Sequence, residues 1–99
     1  MLHVLAVDPE APRPLEAPPS IEVAWAHGAE DALEKLSRNR RIDAVLFFDD
    51  ATARATADIL AADGGGWPPL FQEGGSAVDG IEALDPAALF ENLRRRLGE

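Results

Sequence analysis

Two apolar runs in this chain end in carboxylates. Val45-Leu46-Phe47-Phe48 runs into Asp49 and Asp50, and Leu2-His3-Val4-Leu5-Ala6-Val7 runs into Asp8. In an open α/β sheet, ligands and chemistry gather at the carboxyl ends of the central strands. The acids Asp8, Glu10, Asp49, Asp50 and Glu73 together supply oxygen ligands of the kind a hard cation takes. The competing account is that Asp50 caps a helix and the others are solvated loop residues. Glycine- and proline-bearing loops do not hold ligand geometry, so an acidic pocket remnant is expected, without a bound metal.

Other groups offer less chemistry. The chain has no cysteine, which removes disulfides, thiolate catalysis and thiolate metal sites. His3 falls within a strand and His27 just after one, without metal-ligand spacing between them. His3 reads as a core or cross-sheet residue, His27 as a loop residue. No serine-histidine pair supports nucleophilic hydrolysis. Gly74-Gly75-Ser76 follows a strand and could offer backbone N–H groups to an anion, but it opens no helix. Gly64-Gly65-Gly66 follows a helix, the wrong context for a phosphate loop. No catalytic residue and no cofactor are expected.

The 99 residues suit one domain, residues 1–99, and 46% apolar content suits a packed core. A net charge of −9 argues against general nucleic-acid binding and against anionic membrane surfaces. No apolar run approaches the ~18–20 residues of a membrane span. No basic segment followed by a long apolar stretch opens the sequence, so no signal peptide is expected and a cytoplasmic location is the default. The positive charge is clustered: Arg38, Arg40 and Arg41 form one group, and Arg94, Arg95 and Arg96 another.

The elements that must position these groups follow from periodicity. Residues 2–7 and 44–48 are apolar on both faces, as central strands covered on both sides are. In residues 21–26, Ile21, Val23 and Trp25 alternate with Glu22, Ala24 and Ala26, the pattern of an edge strand. Residues 69–72 and 80–84 are further short strands, the latter also at an edge. Ala29, Ala32, Leu33 and Leu36 recur at helical spacing, with Asp31–Lys35 and Glu34–Arg38 as i,i+4 pairs. Residues 51–62 form an alanine-rich helix with Asp50 as its expected cap. In the last helix Asp85 caps, Pro86 opens, and Leu89, Phe90, Leu93 and Leu97 form one stripe. Residues 9–20 carry five prolines and cannot be helical. Extended, they reach about 37 Å, enough to cross back over a sheet.

This order resembles the receiver domain of two-component response regulators. The likeness is carried by Val23-Ala24-Trp25-Ala26-His27-Gly28-Ala29-Glu30-Asp31-Ala32-Leu33-Glu34-Lys35-Leu36, then by Ile42-Asp43-Ala44-Val45-Leu46-Phe47-Phe48-Asp49. A weaker echo runs from Gly80 through Asp85-Pro86 to the C-terminus. The resemblance implies an acidic pair after the first strand for Mg²⁺ and an acceptor aspartate ending the third. It also implies a hydroxyl ending the fourth and a lysine ending the fifth. Here Asp8 keeps the first acid, but Pro9 takes the second place. The acceptor position falls on Phe48, with Asp49 one residue late. The fourth strand has no hydroxyl before Ser76, and Glu82 stands where lysine is expected. The chain looks like a degenerate pseudo-receiver.

The expected fold is therefore a three-layer α/β sandwich with a five-stranded parallel sheet in order 2-1-3-4-5, flavodoxin-like or receiver-like. The first and fourth helices are missing or reduced, the first replaced by a strap and the fourth, over residues 73–80, holding no more than one turn. Right-handed crossovers place two helices on one face and the last helix with the strap on the other. Both arginine clusters then lie at the edge opposite the acids, as ordinary helix-end charge or, in the functional reading, for an ionic contact with an acidic partner such as another copy of the chain. A face covered by one helix and a strap is expected to leave an apolar patch, the competing outcome being that the strap packs through Leu15 and its prolines and closes the core within one chain. The expected function is phosphorylation-independent binding of a protein partner in signalling or regulation, most simply a homodimer through the stripe of Leu89, Phe90, Leu93 and Leu97. The alternatives are a Mg-dependent receiver phosphorylated on Asp49, or a flavodoxin-like small-molecule binder.

Overall fold

The computed structural model describes residues 1–12, 14–64, 66–74 and 78–98. Five strands, β1 (Leu2–Val7), β2 (Ile21–Ala26), β3 (Ala44–Phe47), β4 (Leu70–Glu73) and β5 (Ile81–Leu84), form one parallel sheet in order β2-β1-β3-β4-β5. Three α-helices accompany it: α1 (Ala29–Arg38), α2 (Asp50–Ala62) and α3 (Leu89–Arg96). This is the expected α/β architecture, consistent with a flavodoxin-like fold.

Alternation along each strand divides the core into two layers. Leu5, Val7, Val45 and Phe47 face α1 and α2, packing with Ala32, Leu36, Ala53 and Leu60. Leu2, Val4, Ala44 and Leu46 face the other way, against Phe71, Leu89 and Leu93. The two continuous apolar runs are thus central because both their faces are needed. Adjacent residues supply opposite layers, so a one-residue slip would exchange them.

Residues 9–20 contain no helix among those described, and Leu15 and Ala17 of this strap pack on the α3 layer. Strap and helix close that face better than the sequence suggested. Among the described residues the only large hydrophobic side chain classed as exposed is Met1, at 72%. The expected open apolar patch is therefore not present there. Leu93 is fully buried and Leu89 nearly so, while Phe90 and Leu97 are half-buried at the margin. The stripe expected as an interface is, at its centre, core of this chain.

Boundaries differ in informative ways. β4 begins one residue later than expected, since Pro69 has no N–H, although its carbonyl accepts from Val45 N at 3.0 Å. β5 begins after Gly80, whose φ of 84° makes the turn. The last helix is divided: Pro86–Ala88 is a 3₁₀ turn, and Ala88 (φ −136°, ψ 40°) separates it from α3. Gly98, at φ 85°, ends α3, with its N–H on the Arg95 carbonyl at 3.3 Å. Gly65, Gly75 and Ser76 lie outside the described residues, so the readings placed on them are not addressed by this structure.

Candidate functional site

The carboxyl edge of the sheet is where chemistry was expected, and there the acids are separated. Asp8, which is buried, Glu10 and Asp49 line one shallow hollow with Pro9 and Phe48. Asp8 Oδ1 accepts from its neighbour's backbone, Glu10 N, at 2.8 Å. Asp49 is extended (φ −147°, ψ 155°), and its Oδ2 accepts from Thr52 N at 2.8 Å. This makes Asp49 the N-cap of α2, a correction to the expectation that Asp50 caps it. An N-cap needs non-helical backbone that sets its oxygen below the first free N–H groups, and Asp50 is already helical. Asp50 instead accepts from Gln72 Nε2 at 2.8 Å, tying α2 to β4.

Glu73 ends β4 in a separate groove, between the strap and the start of α3. The five acids therefore fall into three environments. Among the described residues, no group of three or more His, Cys, Asp or Glu side chains could hold a metal ion.

Phe48, in the place where the resemblance puts the phosphate acceptor, stacks on Trp25 with ring centroids 6.0 Å apart and planes 19° from parallel. Such offset aromatic pairs add stability beyond the area they bury. Glu82 is the second residue of β5, away from its carboxyl end, and its Oε2 meets Arg96 Nε at 2.6 Å. The residue that follows β5 is Asp85, another acid, which accepts from Ala87 N at 2.9 Å and caps the 3₁₀ turn.

The arginine clusters lie at the opposite edge. α1 ends beside Ile42 and Asp43, which lead into β3, and Arg96 reaches the amino-terminal half of β5. Within the clusters Arg38 pairs with Glu34 at 2.9 Å and Arg95 with Glu91 at 3.5 Å, both across one helical turn. These exposed pairs are worth less than about 1 kcal/mol each. Arg40 lines a hollow with Asn39, Asp43 and Trp67, while Arg41 and Arg94 extend the charge without an ion pair to any described residue. His3 sits beside Glu22 across the β1–β2 ladder, with Nδ1 3.7 Å from its carboxylate, and His27 is an exposed loop residue.

Two features were not anticipated. The Trp25–Phe48 stack needs the β2–β1–β3 order and the end of β3 at Phe47, and only the first was legible. The strap groove joins residues far apart in sequence; Leu15, the strap's one large apolar residue, was its only signal. Comparison with family models, with curated proteins and with solved structures finds no match to this chain.

Proposed function

We propose that this chain is a non-catalytic, phosphorylation-independent receiver-like module that works by binding another protein, in signalling or regulation. The observation that supports this most is how the acids at the carboxyl edge are used. Asp49 is the cap of α2, Asp50 is tied to Gln72, and Phe48 fills the acceptor's place as half of an aromatic stack. Phosphoryl transfer depends on positioned cations that neutralise the transferred group. The residue beyond β5 is an acid, and no metal-ligand cluster forms among the described residues. A chain that keeps this sheet without that chemistry retains its surface as its means of action.

The test is incubation with acetyl phosphate and Mg²⁺, followed by intact-mass measurement. The mass is expected to stay unchanged. A gain of one phosphate that Asp49→Asn abolishes would overturn the reading in favour of a working receiver. The sheet face under α3 was the expected seat of a homodimer. Leu89 and Leu93 are buried in the chain's own core, and the groove beside α3 offers a partner Leu15 and Phe90, which are half-buried.

A further inference from the structure

The groove beside α3 combines apolar surface with negative charge. One wall is the strap, with Leu15 and Pro18; the other is the 3₁₀ turn and the first turn of α3, with Leu89 and Phe90. Leu15 and Phe90 are half-buried, each giving part of its surface to the core and part to the groove. Three carboxylates stand around it: Glu16, Glu73 and Glu91. Among the described residues, none that lines it is lysine, arginine or histidine. Glu16 and Glu73 make no ion pair with any described residue. Glu91 meets only Arg95, at 3.5 Å, with both side chains more than two-thirds exposed, a pair that water and salt weaken easily.

We infer that this groove docks a cationic amphipathic segment of a different protein, one presenting apolar side chains flanked by lysine or arginine. The inference rests on the protein-binding reading above and gives it a place and a partner chemistry. An apolar floor with an aromatic anchor supplies contact energy. A carboxylate rim supplies steering and discrimination. A second copy is the weaker occupant on charge, since each chain carries a net −9 and the two repel.

The experiment uses the whole chain and a fluorescein-labelled amphipathic leucine/lysine peptide, read by fluorescence anisotropy at low and moderate salt. A peptide of the same composition in scrambled order is the control. The ordered peptide is expected to bind saturably and more tightly than the scrambled one. Glu16→Gln with Glu73→Gln should weaken it roughly tenfold. Glu30→Gln with Asp58→Asn removes the same charge from exposed positions on α1 and α2, and should change affinity by less than about twofold. Ala87→Arg, at an exposed position on the groove wall, should abolish binding while circular dichroism stays unchanged.

Equal weakening by the two neutralised pairs would mean attraction to net charge alone, and would overturn the site. Absence of saturable binding, or no preference for the ordered peptide, would do the same. Sedimentation that shows a dimer disrupted by Ala87→Arg would replace the cationic partner with a second copy. Each of these is distinct from a phosphate gain in the mass test, which removes the underlying reading without any peptide.

Discussion

The two faces of the sheet are closed by different means. On one, α1 and α2 satisfy their own backbone hydrogen bonds and bring Ala32, Leu36, Ala53 and Leu60 down onto Val45 and Phe47. On the other, α3 has eight residues, and the strap contributes Leu15 and Ala17 from chain without regular structure. Among the described residues the strap takes part in few backbone hydrogen bonds: Ala11 N donates to the Asp8 carbonyl, Ile21 N to the Pro18 carbonyl and Leu2 N to the Ser20 carbonyl. Its prolines have no N–H to satisfy and restrict the unfolded chain, so less entropy is lost on ordering it. An extended segment can therefore replace a helix as cover. It does so with fewer inward side chains, and leaves a groove where a helix would have filled the space.

The largest test of this contrast is truncation of the core. Phe47→Ala, on the helical face, should cost about 3–5 kcal/mol, and Leu93→Ala, on the strap face, about 2–5 kcal/mol, since both side chains are fully buried. Leu15→Ala should cost only about 1 kcal/mol, because the strap side chain is half-exposed and the site can collapse around it. Urea unfolding measures all three. If Leu15→Ala proves as costly as Leu93→Ala, the strap is a full structural element and the contrast between the faces is lost.

A smaller test separates the adjacent acids at the end of β3. Asp49→Ala removes the cap on α2 and should lower stability by about 1 kcal/mol. Asp50→Ala removes an acceptor from the buried Gln72 amide and should cost about 1 kcal/mol or more, through that side chain rather than through the helix start. Hydrogen exchange of the Thr52 amide separates the two, since it should quicken in Asp49→Ala only; quickening in Asp50→Ala instead would return the cap to Asp50.

These two acids also mark where reading from sequence stopped. Strand order was legible because β1 and β3 are apolar on both faces while β2 alternates, and such patterns assign centre and edge directly. α1 was legible because Asp31–Lys35 and Glu34–Arg38 form as spaced, at 3.4 and 2.9 Å. The cap of α2 was not, because choosing Asp49 over Asp50 depends on the backbone angle of a single residue. Nor was the division of the acidic site. Glu73 and Asp8 both follow apolar strands, but the strap and the start of α3 place Glu73 in a separate groove. Such separations depend on connections whose course is set by packing rather than by periodicity. The closure of the strap face was the competing outcome rather than the favoured one for the same reason. Counting helices suggests a vacancy, and only the positions of Leu15 and Ala17 fill it.

The smallest effect is at the start of α1. Gly28 is the N-cap and has no side chain to offer. Asp31, in the first turn, reaches back so that its Oδ2 accepts from His27 N at 2.9 Å, while its Oδ1 lies 3.4 Å from Lys35 Nζ. The His27 backbone bond is the main cause holding the Asp31 carboxyl below its ordinary value, with Lys35 assisting and slight burial opposing. A carboxyl depressed in the folded state stabilises the protein above its unfolded pKa, about 3.9, and the contribution is lost as pH falls through the lower folded value. Asp31→Asn keeps an oxygen that can accept from His27 but removes the charge. The variant should be less stable at neutral pH by a few tenths of a kcal/mol, about what an exposed helix pair is worth. The gap should be constant above about pH 5 and close below about pH 4. High salt should reduce the share due to Lys35. Unfolding curves of the two proteins across that range measure the gap directly; a gap that persists undiminished at pH 2 would mean that Asp31 acts through shape rather than charge.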